Sequence, residues 1–290
     1  QWLWNKGIHQ FDKMTNLSKE TRAFLDEHFT INHIAVDQQQ RSKDGTIKNA
    51  IQLFDGRVVE SVLIPVKDRT TACVSSQVGC SLDCKFCATA KLDRMRNLKI
   101  DEIFDQVVAI DHQSKAYFHR PLSNIVFMGM GEPLMNYNNV IGAIEKITSP
   151  SGLGMSPKRI TLSTSGLPKL IKKMADDKVQ FNLAVSLHTA IQETREQIMP
   201  FAKNFPLLDL MDSLKYWHEK TGKIVTYEYV VWKGINDNME HIRALVDFCK
   251  QVPSKVNLIE YNAIGEDAFK QASPEIINQY MEFLAASHIT

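Results

Sequence analysis

Thr71-Ala72-Cys73-Val74-Ser75-Ser76-Gln77-Val78-Gly79-Cys80-Ser81-Leu82-Asp83-Cys84-Lys85-Phe86-Cys87-Ala88 is the stretch on which the reading of this chain turns. Its first part, Thr71–Ser76, has the apolar and β-branched character of a strand. A loop follows directly, with Cys80, Cys84 and Cys87 in the spacing C-x3-C-x2-C. Cysteines separated by three and two intervening residues on a tight loop can turn their sulfurs toward one point. Three thiolates saturate neither metal option: zinc takes four ligands, and a four-iron cluster is normally held by four cysteines. With three, one iron keeps open positions at which a substrate or cofactor binds the metal itself. Phe86, just before the last cysteine, would shield such a cluster from water and help to keep its potential low. The alternatives are a zinc-stabilised loop with a fourth ligand from elsewhere, or three unrelated buried thiols. No His or Cys follows at zinc-finger spacing.

Working outward, strands alternate with helices on the C-terminal side. After Thr71–Ser76 the candidate strands are Asn124–Met128, Arg159–Ser163, Asn182–Leu187, Val225–Val231 and Lys255–Tyr261. Amphipathic stretches lie between them at 100–115, 138–148, 166–176, 207–220 and 238–251, and a last one follows at 273–286. Six near-continuously apolar strands, each followed by a helix, predict right-handed βαβ units and a parallel sheet covered on both faces. On the N-terminal side, Ile47 to Phe54 and Val58 to Val66 flank Asp55-Gly56, a two-residue hairpin signal. The first thirty residues read as helical, with Thr15-Asn16 as the cap. The fold class expected is α/β: 1–30 a helical accessory segment, 31–69 a β-hairpin extension, and 70–290 the main domain.

Ligands of such sheets bind beyond the carboxyl ends of the strands, so chemistry is sought there. The second strand ends in Met128-Gly129-Met130-Gly131-Glu132-Pro133-Leu134, where glycines admit a ligand close to the backbone and Glu132 offers a carboxylate to an ammonium group. The third runs into Thr161-Leu162-Ser163-Thr164-Ser165-Gly166, the fourth ends Val185-Ser186-Leu187-His188, and the sixth ends Glu260-Tyr261-Asn262. Each is weak alone, since Ser and Thr commonly cap helices. Together they supply the small polar groups that a ribose- and adenine-binding rim requires.

Composition sets the outer bounds. The 290 residues carry a formal net charge of +1, with 44% hydrophobic and 23% charged residues, as in ordinary soluble domains. Near-neutral charge excludes an extremely basic nucleic-acid coat but not a local basic patch. No apolar run approaches the roughly 18 residues of a membrane span. Five cysteines, three of them within eight residues, are a metal pattern in a reducing compartment rather than a disulfide framework. A cytoplasmic protein without a membrane partner is expected. Gln1-Trp2-Leu3-Trp4-Asn5-Lys6 lacks an initiator Met and reads as the cut end of a longer protein.

C-x3-C-x2-C with an aromatic before its third cysteine resembles the signature of the radical S-adenosylmethionine (radical SAM) superfamily. That resemblance implies a partial (β/α)6 TIM-type barrel, a [4Fe–4S] cluster on Cys80, Cys84 and Cys87, and S-adenosyl-L-methionine held at the open iron. The segments from Thr71 to Cys80 and Phe86 to Thr89, with Gly131-Glu132, Leu162 to Gly166 and Ser186-Leu187-His188, are similar more closely to the bacterial RNA adenine-C2 methyltransferases, over essentially the whole chain. This implies methylation of adenine C2 in 23S rRNA and tRNA, with an electron-donor protein such as flavodoxin as partner. The family's cofactor contacts fall on Gly131, Glu132, Ser163, Ser186, Leu187, His188 and Asn262. Adenine C2 is electron-poor and unactivated, so the family first methylates a cysteine near its C-terminus and then adds that carbon to C2 as a radical. A base must take the C2 proton, and a second thiol must release the product. The resemblance assigns these steps to Glu60 or Cys73, and to Cys73, respectively. A resolving thiol attacks as thiolate, so Cys73 is expected partly exposed and near positive charge.

The methyl-carrying cysteine belongs beyond the last helix, whereas this chain stops at Ser287-His288-Ile289-Thr290. Cys249, mid-helix, reads as core, and the polypeptide as it stands is expected not to turn over. Lys91, Arg94, Arg96 and Lys99 are the candidate phosphate contacts. Tyr137, Tyr261 and Trp232 are the candidates to stack on an adenine drawn out of its helix. Two other readings stand beside this one: the sister adenine-C8 rRNA methyltransferases, and a non-catalytic zinc-stabilised RNA-binding module.

Overall fold

A computed structural model describes residues 2–4, 6–264 and 269–290. Gln1 and Asn5 of the N-terminal stretch noted above lie outside the described residues. The chain divides into two compact units, one formed by 1–78 with 95–160, the other by 79–94 with 161–290.

The first unit opens with α1 (Lys19–His28), whose cap is Ser18 rather than Thr15-Asn16: the Ser18 hydroxyl accepts from the Thr21 N–H at 3.1 Å. Four strands follow as an antiparallel meander, β1 (Ala35–Arg41), β2 (Ile47–Gln52), β3 (Val58–Val66) and β4 (Arg69–Cys73). The predicted hairpin is β2–β3, turning through Gly56 at φ +78°. β1 was not anticipated: its sequence Ala-Val-Asp-Gln-Gln-Gln-Arg is exposed throughout and lacks the apolar alternation that marks a strand. β5 (Gln77–Val78) and β6 (Arg96–Asn97) form a short ladder. α2 (Ile100–Phe118) leads to β7 (Asn124–Phe127), parallel to β4, and α3 (Tyr137–Thr148) follows. In β2, Ile47, Asn49 and Ile51 face inward. Buried Asn49 is satisfied by reciprocal amide bonds of 3.0 and 2.7 Å with Gln113 of α2.

The second unit is a run of βα pairs. β8 (Ile160–Thr164), α4 (Pro168–Asp176), β9 (Asn182–Ser186), α5 (Gln192–Ile198), α6 (Leu207–Thr221), β10 (Val225–Val230), α7 (Met239–Cys249), β11 (Ser254–Ile259) and α8 (Pro274–Ala286) follow in order. β8 to β11 pair in sequence, all parallel. Every predicted strand of this region is present within two residues of its expected ends. α5 is the unanticipated helix, seven residues of mostly polar sequence with Arg195 and Ile198 facing inward. Cys249 is buried on α7, as expected of a core residue, and burial pushes its thiol up to about 12.

Candidate active site

The cysteine loop belongs to the second unit and packs into its core. Gly79 enters it at φ +74°, and a Cβ there would lie 2.2 Å from the Asp93 carbonyl oxygen, so only glycine fits. Cys84 and Leu82 sit in a buried cluster with Ile198, Met199, Phe201, Val230, Trp232 and Phe269, and Cys80, Phe86 and Cys87 pack against it. The loop is tied to the segment after α5 twice. The Lys85 N–H donates to the Ile198 carbonyl at 3.0 Å, and the Phe201 N–H donates to Asp83 Oδ1 at 2.9 Å. Phe86 contacts the rings of Trp232 (4.9 Å) and His188 (4.8 Å), so the aromatic shield expected of it is three side chains thick.

The donor set fits the iron–sulfur group. Three soft thiols in an apolar, aromatic pocket are the environment such a cluster needs.

His188 stands just beyond β9 with its backbone in the left-handed region, φ +58°. The Val230 N–H donates to its Nδ1 at 3.2 Å, which leaves the ring proton on Nε2. Burial, with the Arg195 charge nearby, pushes its pKa down to about 3, so the imidazole is neutral. Asn236, fully buried, locks this corner: its amide donates to the carbonyls of His188 (2.7 Å) and Val230 (2.9 Å), and its Oδ1 accepts from the Trp232 N–H at 2.7 Å. The Leu187 N–H donates to the Glu228 carbonyl at 3.0 Å. Ser163 is buried and Ser186 half-buried at the ends of β8 and β9, while Asn262 is exposed three residues past β11.

Gly131, Glu132, Glu60 and Cys73 belong to the first unit. Gly131 adopts φ +94°, and a Cβ there would come within 2.5 Å of the Gln77 Cβ. Gln77 Oε1 accepts from the Glu132 N–H at 2.9 Å, zipping this turn to the strand that leads into the cysteine loop. Glu132 is buried, and one carboxylate oxygen accepts from the Leu134 N–H at 3.0 Å. Cys73 is paired with Val62 across β3–β4, and Glu60, two residues back from Val62, therefore lies on the same face as Cys73. The two are diagonal neighbours, a relation that puts residues roughly 7–8 Å apart. Lys48 on β2 pairs with Glu60 at 2.5 Å. Cys73 is half-buried as expected, but burial pushes its thiol from 9.0 up to about 11, so the low-pKa, electropositive setting expected of it is not what the fold provides.

Two further expectations change. Arg96 is not available to a phosphate: its guanidinium makes a two-pronged pair with Glu102 at 2.7 Å and donates to Asp55 at 2.7 Å. The Arg96 guanidinium, with Arg57 beside it, holds the Asp55 carboxyl well below the usual carboxylate range. Lys91, Arg94 and Lys99 are exposed. Trp232 is fully buried beside Phe86 and cannot receive a base, whereas Tyr137 and Tyr261 are half-buried.

Buried Glu228 and Arg195 are the polar residues that sequence reasoning passed over. Glu228 shares a register row with Ser186 on one side and Asn257 on the other, and accepts from the Asn257 amide at 2.7 Å. Burial raises its pKa. One signal was readable, since Glu228 is the single acid inside Val225–Val230.

Comparison with known proteins first defines the class. Residues 74–249 match the model of the radical SAM superfamily, and residues 1–31 match that of the ribosomal RNA large subunit methyltransferase N-terminal domain. The fold superposes with a TM-score of 0.94 on the crystal structure of a radical SAM methyltransferase from Sphaerobacter thermophilus, 35% identical, covering 99% of this chain and 84% of that one. The α/β fold expected from the sequence is thus the one found. The chain is also 68% identical to the probable dual-specificity RNA methyltransferase RlmN of Flavobacterium psychrophilum, over all of this chain and 83% of that protein. It is 42% identical to the dual-specificity RNA methyltransferase RlmN of Oleidesulfovibrio alaskensis, over all of this chain and 82% of that protein. This chain belongs to the RlmN family of dual-specificity RNA methyltransferases within the radical SAM superfamily.

Proposed function

We propose that this protein methylates adenine C2 in 23S rRNA and tRNA by radical SAM chemistry. The observation that carries the proposal is the cysteine loop, three thiols seated in an aromatic pocket against a neutral, fully buried His188, in a chain of this family. A [4Fe–4S] cluster on Cys80, Cys84 and Cys87 supplies the one-electron reduction of S-adenosyl-L-methionine that an attack on an unactivated adenine carbon requires.

The chain's own residues do the rest. Phe86, Trp232 and Phe269 keep water from the sulfurs. The family's cofactor contacts would fall on Gly131 and Glu132 in the first unit, with Gly131 admitting a ligand close to the backbone, and on Ser163, Ser186, Leu187, His188 and Asn262 in the second. Glu60 and Cys73 share one sheet face, which suits a base that takes the C2 proton and a thiolate that then attacks the thioether sulfur, forming a disulfide with the methyl-carrying cysteine as the bond from that sulfur to the transferred carbon breaks. Cys73 rests as a thiol, so its attack requires that a base take its proton, and Glu60 is the acid on its face. The electron comes from a low-potential donor protein such as flavodoxin, in a cytoplasmic setting that keeps thiols reduced.

Mass spectrometry of nucleosides from 23S rRNA and tRNA treated with S-adenosyl-L-methionine and the anaerobically reconstituted full-length protein, which carries the C-terminal cysteine that this family methylates, tests this. 2-Methyladenosine is the expected product. 8-Methyladenosine would assign the protein to the sister reaction, and a colourless protein with one zinc per chain would reject the radical mechanism.

A further inference from the structure

Arg195 is a charged side chain buried where no carboxylate among the described residues answers it. It is 1% exposed on α5. Its Nη1 donates to the carbonyls of Ser186 (3.1 Å) and Leu187, and its Nη2 donates to the Ser165 carbonyl at 2.6 Å. Nε has no hydrogen-bond partner among the described residues, and no ion pair among them includes this guanidinium. Carbonyl oxygens satisfy N–H donors but do not neutralise a charge. A cation in a low-dielectric interior is costly unless an anion lies close, and a guanidinium does not escape by losing its proton.

The segment that Arg195 opens receives the cysteine loop directly, through the Lys85 N–H on Ile198 and the Phe201 N–H on Asp83. Cys84 lies in the same buried cluster as Ile198 and Met199, one turn along the chain from Arg195.

We propose that Arg195 is a positioning residue with two tasks: its fork fixes the carboxyl ends of β8 and β9, and its charge compensates the iron–sulfur cluster held beside it on Cys84. Reduction brings one electron from a low-potential donor and adds one negative charge at the loop, with no bond made or broken. A fixed cation therefore stabilises the reduced state more than the oxidised one, and raises the potential. The proposal rests on the cluster reading of the three cysteines and goes beyond it by assigning a residue outside the signature.

The test compares wild type, R195Q and R195K after anaerobic reconstitution, by iron content and by dithionite titration followed by electron paramagnetic resonance. R195Q with full iron content should be at least tenfold harder to reduce, a shift of 59 mV to lower potential for a one-electron couple. R195K, which keeps the charge and loses the fork, should stay within threefold of wild type. Full iron and an unchanged potential in R195Q would overturn the proposal, as would an equal shift in both variants. Should R195Q not fold, R195K decides: a tenfold loss overturns the proposal, and a potential within threefold of wild type supports it. Wild-type protein that binds no iron would reject the cluster reading itself, and the role of Arg195 with it.

Discussion

Cys73 is half-buried, on the sheet face that it shares with Glu60. With its thiol pushed to about 11, about one molecule in a hundred carries the thiolate at pH 9, against about half for a thiol at the ordinary value. Iodoacetamide alkylation of Cys73, followed by peptide mass spectrometry, should therefore rise about tenfold per pH unit from pH 8 to near pH 11. A plateau at pH 9 would contradict the buried setting. The stability effect has the same origin. The unfolded chain loses this proton first, so the contribution of Cys73 is intact below pH 9 and is lost as the pH climbs from 9 toward 11. Cys73 was legible as a residue of interest through the resemblance to the adenine-C2 methyltransferases, which places a second working thiol seven residues before Cys80. Its protonation state was not, because desolvation depends on strands distant in sequence.

The cysteine loop has no regular secondary structure of its own, and its shape depends on two backbone ties to the segment after α5. Asp83→Ala removes one of them and leaves the Phe201 N–H to water. The expected cost is about 1 kcal/mol, since a hydrogen bond to a charged acceptor at an exposed position is partly replaced by solvent. Iron should then leave the reconstituted protein about fivefold faster under a chelator, by the same free energy. A release rate equal to wild type would show that the tie does not hold the loop. The βα succession around this loop was readable because buried parallel strands are written in continuous apolar residues. β1 and α5 were not, since an exposed strand of glutamines and a short polar helix carry no periodicity. Arg195 and Glu228 were hidden for a related reason. A buried charge is recognised by what surrounds it, and those neighbours come from other strands.

At the scale of the molecule, burying a neutral histidine makes folding depend on pH. The folded-state value of His188 is depressed, from 6.5 to about 3, so below pH 6.5 the unfolded chain binds a proton that the folded chain refuses. Stability is therefore complete above pH 6.5 and falls as the pH drops toward 3, by up to about 1.4 kcal/mol per unit. His188→Asn tolerates the left-handed backbone and keeps an acceptor for the Val230 N–H. Its unfolding free energy, from denaturant titrations at pH 4.5 to 7, should depend less steeply on pH than wild type by one proton's worth. Equal slopes would place the acid sensitivity elsewhere.

The sequence by itself determined the class of this protein, because three cysteines at fixed spacing after a strand and six apolar strands in alternation with helices are local patterns, complete within short windows. It also named Cys73 and Glu60 as residues to follow. Only the tertiary structure decided that these two share a face, that Arg96 is spent on Asp55 and Glu102, that Trp232 is buried, and that the Arg195 guanidinium is buried on backbone carbonyls with no ion-pair partner among the described residues. Register, burial and charge pairing arise from contacts between segments far apart in the chain, where the energy of each group depends on the neighbours that folding brings to it.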